Sequence, residues 1–351
     1  MLCFAQPQHG MLPCRHELIA AFMSYSPFIF GCKGSVITPK ERSFFRKSQP
    51  FGFILFARNL DNINQINSLC QSLRDATGRY VPIMVDQEGG RVARLGEPHW
   101  FEFPPALDQS KNINAERLFW LRGRLIAENL RLSGIDVNCA PLGDIAKSDT
   151  HPFLNNRCYG TNRSTVVANA HAFNLGQRHG GVSGVLKHFP GHGRAKLDSH
   201  VSLPKIITDR SVLEETDFQV FNSLQNFDMG MTAHVIYTDI DPENSATHSN
   251  IINKVIRNNI GFRGLLMTDD ISMNALQNDL ITRSKKAFSA GCDVVLHCNG
   301  KLEEMELLYQ NFTQLSGQSL NRAEAVIKNR PAVVSIDISQ LKEEFTALIN
   351  D

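Results

Sequence analysis

Residues 181–204 read Gly-Val-Ser-Gly-Val-Leu-Lys-His-Phe-Pro-Gly-His-Gly-Arg-Ala-Lys-Leu-Asp-Ser-His-Val-Ser-Leu-Pro. The first six residues form a short apolar run of the kind that fills a strand buried on both faces. Lys187 and His188 stand where that strand ends. Pro190, Gly191 and Gly193 then forbid a helix and demand a loop. That loop carries Asp198 and His200, a carboxylate two residues from an imidazole. An Asp–His pair on a loop over the end of a buried strand is suited to acid–base chemistry. A surface-decoration reading competes, because isolated histidines usually do nothing more. A zinc reading competes too, since His188 and His192 are four apart. That spacing brings two ligands to one metal only on a helix, which the Pro-Gly content excludes, so no metal is expected.

Outward from this stretch, seven more apolar runs recur, giving eight in all: 27–30, 51–56, 81–85, 135–140, 181–186, 229–233, 264–268 and 293–297. Between them lie segments with apolar residues at helical spacing, over 63–76, 115–132, 164–179, 209–226, 250–258 and 276–290. Gly134, Gly180 and Gly291 precede strands as helix stops do. Eight strand–helix units predict an α/β fold, a single-domain (β/α)8 TIM-type barrel. The absence of G-x-G-x-x-G after the first strand counts against a dinucleotide-binding sheet. Residues 302–315, 322–328 and 338–350 read as terminal helices too short for a second domain. Residues 1–22 are taken as an N-terminal extension, with Met11 and Met23 as alternative starts, and 23–351 as the barrel with its C-terminal helices.

Composition narrows the function classes. The chain has 351 residues, is 42% hydrophobic and has a formal net charge of +1. No basic block interleaved with aromatics supports a nucleic-acid partner. No segment is apolar for long enough to span a bilayer, and no signal-peptide pattern opens the chain. A cytoplasmic protein without membrane contact, working as a monomer on a small molecule, is expected. The eight cysteines are scattered with no CxxC pair, which suits a reducing compartment.

A barrel places chemistry at the C-terminal ends of its strands. Those ends carry Arg58-Asn59, then Asp86-Gln87-Glu88-Gly89-Gly90-Arg91, then Asn138 and Asp144, Lys187-His188, His234, Asp269-Asp270 and Asn299. So many polar ends point to an enzyme acting on a hydroxylated substrate. Asp269 or Asp270 is the nucleophile candidate. Neighbours on an extended chain point oppositely, so one faces the axis and the other caps the helix behind it. A carboxylate nucleophile with a separate proton donor is the arrangement of retaining glycoside hydrolysis. An imidazole, with a reference pKa of about 6.5, can fill the donor role.

The motif Lys-His-Phe-Pro-Gly-His-Gly with Asp-Ser-His at 198–200 resembles glycoside hydrolase family 3, and within it the single-domain bacterial β-N-acetylglucosaminidases. Residues 85–92, 268–273, Asn156-Arg157 and Ala233-His234-Val235 resemble the same group. The resemblance covers about residues 27–300. It implies Asp269 as nucleophile and His200 as general acid/base paired with Asp198. It also implies that Asp86, Arg94, Arg157, Lys187 and His188 hold the sugar, with no cofactor. The implied reaction removes terminal N-acetylglucosamine from anhydro-N-acetylmuramic acid fragments, with or without peptide, in cell-wall recycling. Competing expectations are a phosphorylase using the same intermediate and an inactive muropeptide-binding sensor. The first strand ends Gly31-Cys32-Lys33-Gly34, where relatives often carry an Asp before the Gly.

Overall fold

The computed structural model describes residues 25–197 and 203–350. All eight apolar runs are strands: β1 (Ser26–Gly31), β2 (Pro50–Leu55), β3 (Ile83–Val85), β4 (Val137–Asn138), β5 (Ser183–Phe189), β6 (Met229–Thr232), β7 (Leu265–Met267) and β8 (Val295–His297). They pair in parallel in chain order, and β8 pairs with β1. A parallel bridge between Met267 and Val294 joins β7 to β8, and the Ile271 N–H donates to Leu296 O at 2.9 Å. The sheet is therefore a closed barrel.

Alternation along the strands builds two cores. Ile29, Ile54, Met84, Val137, Val185, Met229, Met231, Leu265, Met267 and Leu296 point inward. Phe30, Phe53, Leu55, Val85, Leu186, Leu266 and Val295 point outward against the helices. Each such side chain, once buried, contributes roughly 1.5–3 kcal/mol. Helix Gly317–Lys328 closes the lower end, its Ala323 and Val326 joining Tyr25 and Phe51 in the inner core. Helix Ile338–Asn350 packs Phe345 against the rings of Phe101 and Phe103, and Glu344 takes a two-pronged bond from Arg117 at 2.7 and 2.8 Å. The tail is thus part of the barrel's outer layer.

The helices depart from the pattern in four places. Pro39–Ser48 is a helix that apolar spacing did not indicate; its signal is the capping box of Thr38 and Glu41 with Pro39 in the first turn. The segment 209–226 is two helices, Arg210–Glu215 and Asp217–Ser223. The break falls at Thr216, where Arg194 reaches in to bond Asp217 Oδ2 at 2.7 Å. The segment 250–258 is a short α-helix ending in a π-turn, Val255–Asn259. The segment 276–290 becomes helical only at Leu280, capped by Asp279. No helix among the described residues is long and apolar enough to cross a membrane.

Candidate active site

The strand ends converge on a cavity of about 200 Å³, walled by Asp86, Glu88, Arg94, Arg157, Lys187, His188, His192, Asp269 and Asp270, with Phe56, Phe153 and Met273. All five residues expected to hold a ligand (Asp86, Arg94, Arg157, Lys187 and His188) line it, as does Asp269. Asp198 and His200 lie outside the described residues.

One wall is a chain of alternating charge. Arg157 donates to Glu88 through Nε (2.9 Å) and Nη2 (2.8 Å). Lys187 Nζ lies 2.7 Å from Glu88 Oε1 and 2.9 Å from Asp86 Oδ1, and Arg94 approaches Asp86 Oδ2 at 3.6 Å. Burial opposes the charge on Glu88, but Arg157 and Lys187 outweigh it and hold the carboxyl well below the usual range. Burial likewise opposes the Lys187 ammonium, and Asp86 and Glu88 outweigh it, raising its pKa. Glu88 lies in the strand-end run but was not among the expected ligand residues. Its importance depends on Arg157, 69 residues away, a pairing that no local pattern reveals.

The turn behind this wall is built for it. Gly89 and Gly90 take positive φ, 86° and 57°, which costs a glycine little. A Cβ on Gly89 would lie 2.5 Å from Arg122 Nη2. That space is needed, because the fully buried Arg122 donates to Glu88 O through Nε and Nη2 at 2.9 and 2.8 Å. Gln87 fastens the far side of the loop, accepting from the Arg94 and Leu95 N–H groups at 2.7 and 2.9 Å.

At the end of β5, Asp144 is the organiser. Its Oδ2 is 2.8 Å from His188 Nδ1, and its Oδ1 accepts from the His192 N–H at 2.6 Å. Burial opposes its charge, and His188 overcomes that, keeping it ionised. Tyr237 donates to Gly191 O at 2.6 Å, and a Cβ on Gly193 would lie 2.0 Å from Ile145 O. The start of the loop is therefore buried and pinned. The His192 ring, lowered to about 4 by burial and by His188, is neutral near pH 7, and its Nδ1 has no hydrogen-bond partner among the described residues. No three His, Cys, Asp or Glu side chains cluster as a metal site among the described residues.

The two aspartates after β7 differ. Asp270 Oδ1 accepts from the Ser272 N–H (3.0 Å) and the Cys298 N–H (3.2 Å), and Ser272 Oγ lies 2.8 Å from each carboxylate oxygen. It ties a turn to β8 and does not cap the helix behind, a role that Asp279 takes. Among the described residues Asp269 accepts one bond, from the Asp270 N–H at 2.8 Å. Burial opposes its charge, but His234, His188, that N–H and Lys187 hold its pKa below the ordinary value. His234 fixes the turn from beneath. Its Nε2 is 3.0 Å from Asp270 O, which can only accept, so the proton sits there. Nδ1 then accepts from Thr247 Oγ1 at 2.7 Å. An ionised carboxylate with unspent lone pairs, facing a wall of donors, can attack an electrophilic carbon of a bound polyol.

The family model described as the glycosyl hydrolase family 3 N terminal domain matches residues 35–330. A beta-hexosaminidase from Methylobacillus flagellatus is 33% identical over 309 residues, covering 86% of this chain and 88% of its own. Another from Stenotrophomonas maltophilia is 33% identical, covering 84% and 88%. Among solved structures, NagZ from Neisseria gonorrhoeae in complex with N-trifluoroacetyl-D-glucosamine superposes with a TM-score of 0.81 at 28% identity, over 93% of this chain and 97% of that one. A match over most of the length, on a closed parallel barrel with an ionised aspartate at the end of β7, places the chain in glycosyl hydrolase family 3.

Proposed function

We propose that the chain is a retaining exo-β-N-acetylglucosaminidase acting in the cytoplasm. Its substrate is the terminal N-acetylglucosamine of peptidoglycan fragments, N-acetylglucosaminyl-anhydro-N-acetylmuramic acid with or without peptide, released during cell-wall recycling. The observation that carries this reading is Asp269, ionised and sparsely bonded, in a small cavity opposite the chain Arg157–Glu88–Lys187–Asp86–Arg94.

In this mechanism Asp86 accepts from sugar hydroxyls, while Lys187, Arg157, Arg94 and His188 donate to hydroxyls and the N-acetyl carbonyl. Asp269 attacks the anomeric carbon through an oxocarbenium-like transition state, and the glycosidic C–O bond breaks. His200, oriented by Asp198, protonates the leaving oxygen and then removes a proton from the water that opens the glycosyl-enzyme. The cavity gives indirect support for a donor on the loop. Every carboxylate lining it other than Asp269 is already engaged by cations or N–H groups, and His192, neutral near pH 7, lacks the acidic proton of an imidazolium.

A cavity of this size suits one pyranose, which supports exo action. Arg91 stands over the Phe153 ring of its wall at 4.8 Å. It forms no ion pair among the described residues, which favours an acidic aglycone.

Hydrolysis of matched nitrophenyl β-N-acetylglucosaminide and β-glucoside, with the product anomer followed by NMR, tests the reading. Turnover of the N-acetyl substrate alone, with β-sugar released first, supports it. Preference for the glucoside, or α-sugar first, overturns it. A sugar-phosphate formed only when phosphate is added would identify a phosphorylase, and binding without turnover a sensor. His200→Ala should cost far more on the muropeptide fragment than on nitrophenyl glycosides, whose leaving oxygen scarcely needs a proton.

A further inference from the structure

We infer that Glu88 is a positioning residue for the sugar site, acting on the substrate only through Lys187 and Arg157. The inference rests on reading the cavity as the N-acetylglucosamine site.

Three observations converge on it. Glu88 is held at its backbone before its side chain does anything. Its N–H donates to Val92 O at 2.9 Å, and its carbonyl sits in the fork of Arg122. Its carboxylate is then occupied on both oxygens, by the two-pronged Arg157 bond and by the Lys187 ammonium. Its side chain is 2% exposed, against 17% for Asp86. Asp86 therefore keeps accessible lone pairs and Glu88 keeps none.

The division of labour follows from this geometry. Arg157 spends its Nε and one Nη2 hydrogen on Glu88, so its remaining hydrogens are aimed by that fork. Lys187 shares its charge between Glu88 and Asp86. Without Glu88 the ammonium would fall wholly on Asp86 and compete with sugar hydroxyls for the same oxygens. The Arg157 guanidinium would lose the carboxylate that orients it. Glu88 is also unsuited to proton transfer, since its neighbours hold it ionised.

Glu88→Gln preserves the shape and removes the charge. Its effect belongs to binding in ground and transition states alike, which raises KM and leaves kcat nearly intact. The experiment measures kcat and KM on nitrophenyl β-N-acetylglucosaminide, and calorimetric binding of free N-acetylglucosamine, for the full chain and the variant. Expected results are a KM about 10- to 100-fold higher, kcat within about threefold, and sugar affinity weakened in parallel. Glu88→Asp, which keeps the charge, should recover part of the loss. It also serves as the test variant should Glu88→Gln not fold.

Unchanged KM and sugar affinity with only a lower melting temperature would make Glu88 purely structural and overturn the inference. So would a collapse of kcat at unchanged KM, which would put Glu88 in the chemistry. A wild-type chain that neither binds N-acetylglucosamine nor turns over its glycoside would instead overturn the reading of the cavity itself.

Discussion

The wall of the cavity built by β3 and β5 and the edge built by β7 both carry carboxylates, yet they treat them in opposite ways. On the wall Glu88, and behind it Asp144, each have both oxygens engaged by protein donors. At the edge, Asp269 has a single N–H donor among the described residues, while Asp270 beside it is bonded to Ser272 and Cys298. A carboxylate with both oxygens engaged by protein donors is held in place and stays ionised, and it forms a new bond only at the expense of these. One with spare lone pairs in a site of donors is left for substrate. Bond saturation thus separates the groups that hold the site from the group that reacts in it.

The contrast is sharpest between the two neighbours that follow β7. Asp269→Asn should lower kcat by about 10⁴-fold or more, with the melting temperature nearly unchanged, because its carboxylate takes only one hydrogen bond from the described residues. Asp270→Asn should retain measurable turnover and unfold at lower temperature, because the turn to β8 loses its charged acceptor. Equal losses of turnover in the two variants would break the comparison. Steady-state kinetics with thermal melts decide it.

A second test moves to the wall. Asp144→Ala removes the partner of the His188 ring and of the His192 N–H together. It should destabilise the protein by about 3–5 kcal/mol in urea titration, the cost of removing one partner from a buried hydrogen-bonded pair. A loss below about 1 kcal/mol would show that saturation there has little structural value.

The smallest expected effect separates burial from saturation. His192 is buried but its Nδ1 has no partner among the described residues, and its folded-state pKa of about 4 lies below the usual histidine value. Between pH 6.5 and 4 the unfolded chain therefore binds this proton and the folded chain does not. Stability falls as the pH drops through that window and is fully present above it. The span corresponds to about 3 kcal/mol at most. The stability advantage of wild type over His192→Gln should shrink by up to that amount on acidification. An advantage that stays constant from pH 7 to 4 would show that His192 is not held neutral by burial.

How much of this was legible in the sequence follows from the range of each interaction. The eight strands were readable because a closed parallel sheet is covered on both sides, so each strand is a run of apolar residues rather than an alternation. The strand ends gave Asp86, Lys187, His188 and Asp269, since topology alone delivers them to one face. Periodicity could not separate Asp269 from Asp270; their hydrogen bonds do. Asp86 and Glu88 are two apart and equally polar, and only Arg157 and Lys187, arriving from distant segments, assign them different work. Helix Pro39–Ser48 lacked an apolar stripe because its core contacts come from the adjacent Phe44 and Phe45; the Thr38–Glu41 box was the visible mark. The break at Thr216 depends on Arg194, which belongs to the loop after β5.

The most direct test of the central claim is covalent trapping at Asp269. Incubation with a slow 5-fluoro glycosyl fluoride of N-acetylglucosamine, followed by intact-mass measurement and peptide mapping, reads which side chain carries the sugar. The account predicts one sugar per chain, attached to Asp269 and absent from Asp269→Asn. A sugar attached to Asp270 or Glu88, or none on a chain that is turning over substrate, would contradict it.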